Sequence, residues 1–193
     1  MIKLDNKTNL ALGFVRTAYN DYIAARVLLN KGYTMQGVML ASTAIEKSFK
    51  AGISVLTGKK EFGHMDKFEN FKAIIEEKGY GRLIELIDAR FIDILIKAYK
   101  LRYYDTVQEP TVIGFFKNQF LGELDSAFSL FEKLYIIDNE KGEKLLTPLQ
   151  MDLKRMNPDL IENNWLALKM EKKTFMETGC EGFAVFIHPN NVY

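Results

Sequence analysis

From Leu10 the apolar residues recur as Leu10, Phe14, Ala18, Tyr22, Ala25 and Leu29, steps of three or four that place them on one face of a helix. The same spacing returns in Val38, Ala41, Ile45, Phe49 and Gly52, in Phe68, Phe71 and Ile75, in Leu83, Ile87, Phe91, Ile94 and Ala98, and in Phe120, Leu124, Phe128, Phe131 and Tyr135. Lys31-Gly32, Gly58, Gly79 and Gly81 punctuate these runs, because glycine readily takes the left-handed conformation that closes a helix. Thr8 or Asn9 is the expected N-cap of the first helix, and the last is expected to end near Asp138. Short links between amphipathic helices predict a mainly α fold, an up-and-down bundle of four to five helices over residues 1–140. In the second helix the small residues Gly37, Ala41, Ser42 and Ala44 allow a close helix approach.

Residues 141–193 read as a C-terminal extension, a helix plus strands. Pro148 suits a helix first turn, Pro158 breaks it, and Gly182-Phe-Ala-Val-Phe-Ile187 reads as a strand. Trp165 to Glu171 is either the other arm of a β-hairpin across Thr178-Gly179 or a short helix, and the pattern leaves both open.

A chain of 193 residues, 48% hydrophobic and 26% charged, is long enough to bury one substantial core with an appendage. Lys and Arg total 26 against 25 for Asp and Glu, so no general positive field gathers nucleic acid, although a local patch could. The single Cys180 has no intramolecular disulfide partner and the N-terminal residues lack a signal-peptide pattern, so a reducing, cytoplasmic setting is expected. The longest apolar runs, such as Gly182 to Ile187, fall far short of the roughly 20 residues that cross a bilayer; no membrane association is expected.

Most catalytic chemistry fails on spacing. Gly52 to Lys59 has five residues rather than four between its glycines and Lys60 where a phosphate-binding loop needs Ser or Thr. With His64 and His188 the only histidines, a multi-histidine zinc site cannot form, so neither a metal nor a cofactor is expected. Cys180 and His188 lack a specific nucleophile–base spacing. Glu46 and Lys50, four apart, can pair on a helix surface; alternatively Lys47 and Lys50 project toward a phosphate or an acidic partner. Asp21 and Arg26 carry the same two readings. His64, between Gly63 and Asp66, is read chiefly as the residue that caps the third helix.

Ala18-Tyr-Asn-Asp-Tyr-Ile-Ala-Ala-Arg-Val-Leu-Leu29 and Ala41-Ser-Thr-Ala-Ile-Glu-Lys-Ser-Phe-Lys-Ala51 resemble the first two helices of HEPN domains. His64-Met-Asp-Lys-Phe68 stands where family members open the third helix. Arg102-Tyr-Tyr-Asp105 resembles the family's Arg-Tyr-Pro-Asp element, with Tyr104 in place of proline. The resemblance spans residues 8 to 138. Ribonuclease members carry an Arg followed four to six residues later by His, and no His follows Arg102 at that distance. Losing the histidine that would titrate near neutral pH removes the natural acid–base group for cleaving RNA.

The resemblance therefore implies a homodimeric binding module, not itself an enzyme, for a nucleotide or a nucleotidyltransferase-type partner. Its ligand would lie among Lys47, Lys50, His64, Arg102, Tyr103 and Asp105, with cations meeting phosphate and a ring stacking on a base. RNA is a less favoured ligand. The alternatives are a divergent toxin-like endoribonuclease, of the toxin–antitoxin kind, using Arg102 and Asp105, and a purely structural dimerisation module.

Overall fold

A computed structural model describes residues 6–59, 63–101, 109–135 and 146–187. Its helices are α1 (Asn6–Asn30), α2 (Thr34–Thr57), α3 (Phe68–Glu77), α4 (Gly81–Glu85), α5 (Ala89–Lys100), α6 (Lys117–Phe131), α7 (Pro148–Arg155), α8 (Pro158–Ile161) and α9 (Lys172–Glu177). Two strands, β1 (Thr111–Phe116) and β2 (Gly182–Ile187), complete the described fold. The protein is thus the expected mainly α-helical bundle with a small two-stranded β element, one strand from the bundle region and one from the C-terminal region.

Helices α1 and α2 pack along their lengths as a tight hairpin. Gly32 turns the chain at φ 80°, a conformation costly for other residues. The approach is tight at Gly37, where an added Cβ would lie 2.6 Å from Leu29 Cγ. Ala41, Ser42 and Ala44 are buried as their size suggested, and the Ser42 hydroxyl donates to the Leu95 carbonyl of α5 across 2.8 Å. Helix α2 also contacts α3, α5 and α6, so its stripe is the centre of the core. Phe49 packs against Phe68, Phe71 and Phe131 at ring distances of 5.5, 5.4 and 4.4 Å.

Four expectations need correction. Helix α1 begins at Asn6, so Thr8 and Asn9 lie inside it; several neighbouring residues there are equally good caps, and preference alone does not choose among them. The run from Leu83 to Ala98 is two helices, because the Asp88 carboxylate accepts the Arg90 and Phe91 N–H groups and starts α5 afresh. Helix α6 ends at Phe131 and continues as a 3-10 turn to Leu134, while Asp138 lies outside the described residues. Strand β2 pairs not with Trp165–Glu171, which form turns, but antiparallel with β1, from Thr111 opposite Ile187 to Phe116 opposite Gly182. The Asn164 side chain accepts from the Leu166 and Ala167 N–H groups and holds that segment curled.

The C-terminal region is sewn into the bundle. Pro148 opens α7 behind a Thr147–Gln150 capping box. Leu149, Leu160 and Phe175 are buried in the same core cluster as the bundle residues. The Tyr19 hydroxyl donates to Asp152 at 2.6 Å, and Asn164 donates to the Tyr22 hydroxyl at 3.3 Å.

Glu132, in the turn after α6, is buried, and that burial pushes its carboxyl up to about 7 from an ordinary 4.5, against a smaller lowering by the Thr147 hydroxyl. Between those values the native state holds a proton that the unfolded chain has released. Stability therefore falls as pH rises through that window, by up to about 1.4 kcal/mol per unit. Its neighbours Tyr19 and Tyr135 are themselves pushed above the usual tyrosine range by burial and stay neutral throughout. Glu132→Gln should leave stability at pH 4 nearly unchanged and raise it by about 2–3 kcal/mol at pH 8. Urea titrations at both pH values check this; an equal effect at the two would exclude the buried carboxyl as the cause.

Candidate functional site

The site is organised by Glu46, whose place on α2 follows from the helical period. Ser42, Glu46, Phe49 and Ile53 are spaced four, three and four, and all are buried. A carboxylate on that stripe is costly unless each oxygen is met. Lys50 Nζ donates to Glu46 Oε1 at 2.7 Å, His64 Nδ1 lies 3.3 Å from the same oxygen, and the Met65 N–H donates to Oε2 at 2.9 Å. The Glu46–Lys50 pair is therefore not a surface pair, as its spacing suggested, but a largely buried one.

His64 does not cap the third helix with its side chain. Glu46 takes that role from α2, placing a negative charge at the start of the Met65–Lys67 turn, where free N–H groups favour it. The His64 ring stacks on Tyr99 of α5 with centroids 5.5 Å apart and planes at 21°. Its side chain is 58% exposed, so the ring remains reachable from solvent. A carboxylate beside Nδ1 favours the proton there, which leaves Nε2 the acceptor in the neutral ring.

Of the expected site residues, Lys50 and His64 are brought together. Lys47 instead turns to α1, where its Nζ meets Asp21 Oδ2 at 2.7 Å. Arg102, Tyr103 and Asp105 lie outside the described residues, as does His188, the potential partner of the exposed Cys180. The described chain reaches Leu101, which closes α5 one turn or less beyond Tyr99. Arg26 is fully buried against Asp125 and is a structural residue with no access to a ligand. Glu46 and Tyr99 were not among the expected site residues; the buried stripe of α2 was the available signal for the first.

Among the described residues no His, Cys, Asp and Glu cluster is arranged to hold a metal ion, and no helix is long and apolar enough to cross a membrane. No protein-family model matches the chain, and no curated protein or solved structure matches it.

Proposed function

We propose that this chain is a HEPN-like, homodimeric binding module of the reducing cytoplasm that accepts a nucleotide, alone or presented by a nucleotidyltransferase-type partner, beside Lys50 and His64. One observation carries the reading. Two blocks of the resemblance that are far apart in sequence, Ala41–Ala51 and His64–Phe68, meet at Glu46, Lys50 and His64, and Tyr99 of α5, three residues before Arg102, stacks on the His64 ring. Lys50 uses one of its three donors on Glu46 and has others suited to a phosphate oxygen, while the accessible Nε2 of His64 is suited to accept from a ribose hydroxyl or a base N–H. Arg102 and Tyr103 follow Leu101 directly in sequence and would supply the fork and the stacking ring.

A thermal-shift panel of ATP, GTP, NAD and cyclic nucleotides tests it on wild type beside Lys50→Ala, His64→Ala and Arg102→Ala. At about 100 times Kd a bound nucleotide stabilises the native state by about 2.7 kcal/mol. For a chain of this size that is a Tm rise of roughly 5–10 °C. The variants should lose most of the rise. No shift with any nucleotide, or a shift indifferent to all three substitutions, would overturn the reading.

A further inference from the structure

A cavity of about 590 Å³ opens where α5, α6, α9 and the β1–β2 ribbon meet, a volume in the range that holds small organic ligands. It shares no lining residue with the Glu46 cluster. Phe91, Phe120, Phe115 and Phe183, in that order, form a continuous aromatic wall, with successive ring distances of 5.1, 4.7 and 6.0 Å. Met176 adds a polarizable, adaptable surface. It reaches the cavity because Gly122 lets α9 approach α6: a Cβ there would lie 2.8 Å from Met176 Cγ.

One polar group in this wall is out of keeping with it. Glu123 lines the cavity and is 8% exposed; Lys172 holds its Oε1 at 2.7 Å, yet its buried Oε2 has no hydrogen-bond partner among the described residues. A buried acceptor left unmet costs about 1–3 kcal/mol, and more when charged, so this oxygen is a standing demand for a donor. The charges around the cavity decide what kind. Lys172 offsets Glu123, and at the rim Arg90 offsets Asp88, so a net charge on the ligand gains nothing.

We propose that this cavity binds a small, flat, uncharged aromatic molecule whose N–H donates to Glu123 Oε2 while its ring lies among the phenylalanines. The inference is independent of the nucleotide reading, and Lys50→Ala should not affect it. Indole and 1-methylindole are the probes, since N-methylation removes the donor and keeps the flat ring. Titrations followed by NMR should show saturable binding of indole to the full chain, tighter than that of 1-methylindole by about tenfold or more. In Glu123→Met the preference should vanish, through loss of indole affinity alone. Gln119→Trp, on an exposed position lining the cavity, should weaken both probes. Absence of saturable indole binding, equal affinities for the two probes in wild type, or binding untouched by Gln119→Trp would each overturn the proposal. If Glu123→Met fails to fold, the wild-type comparison and Gln119→Trp still decide it.

Discussion

Arg26→Ala is expected to destabilise the protein by about 3–5 kcal/mol, a large share of the roughly 5–15 kcal/mol that holds an ordinary domain folded. The reason is the carboxylate it would strand. Arg26 and Asp125 are both fully buried; the guanidinium Nη1 meets Asp125 Oδ1 and Nη2 donates to the Glu162 carbonyl. The Tyr22 hydroxyl donates to the same Asp125 oxygen at 2.7 Å, and the Arg26 guanidinium lies 5.8 Å from the Tyr22 ring centroid. Satisfaction is incomplete, since Arg26 Nε and Asp125 Oδ2 have no partner among the described residues. Such a pair contributes little net stability against an apolar replacement, yet removing one member leaves a charge with nothing to balance it. The double variant Arg26→Met with Asp125→Leu should therefore recover part of the loss, short of about 1–3 kcal/mol for the buried Tyr22 hydroxyl, which loses its acceptor. Urea midpoints at unchanged slope measure both. A double variant as unstable as the single one would show that packing, not charge, governs the site.

The same residues show how far sequence reasoning reaches. Tyr22, Arg26 and Leu29 fall on one stripe of α1, and Leu121, Asp125 and Phe128 on one stripe of α6. The helical period marks both charges as inward-facing, just as it marks Glu46 on α2. What it cannot supply is the partner. Arg26 meets Asp125, and Glu46 meets His64, across distances in sequence that no local pattern encodes. Strand β1 was hidden for a related reason. Thr111-Val-Ile-Gly-Phe-Phe116 runs straight into the apolar start of α6, and its pairing with β2 is a long-range contact with no turn signal between adjacent arms. The alternation is there in hindsight: Ile113 is buried while Val112 and Phe116 are exposed. Locally encoded features fared better, among them the α2 stop at Gly58 in the left-handed region and the Pro148 helix start. Of the candidate site, Lys50 and His64 were legible through the resemblance, whereas Glu46, which joins them, looked like half of a surface ion pair.

Deleting residues 143–193 should abolish cooperative folding rather than trim an appendage. Leu149, Leu160 and Phe175 would leave a core they share with α1, α2 and α6, and at about 1.5–3 kcal/mol for each buried side chain the loss is roughly 5–9 kcal/mol. Polar groups would be stranded as well. Arg26 loses the Glu162 carbonyl, Tyr19 loses Asp152, and Glu123 loses Lys172. Strand β1 loses its ladder with β2, and the Phe115 and Phe120 faces behind it open to water. These losses equal or exceed the stability a domain of this kind has to give. The truncated chain should show helical circular dichroism without a sigmoidal urea transition, while Phe175→Ala in the full chain should keep the transition and lower its stability by about 3–5 kcal/mol. A truncated protein unfolding at the wild-type midpoint would show that the bundle stands alone. Because folding and any self-association would fail together in the deletion, a dimer has to be tested in the full chain, by sedimentation over a range of concentrations.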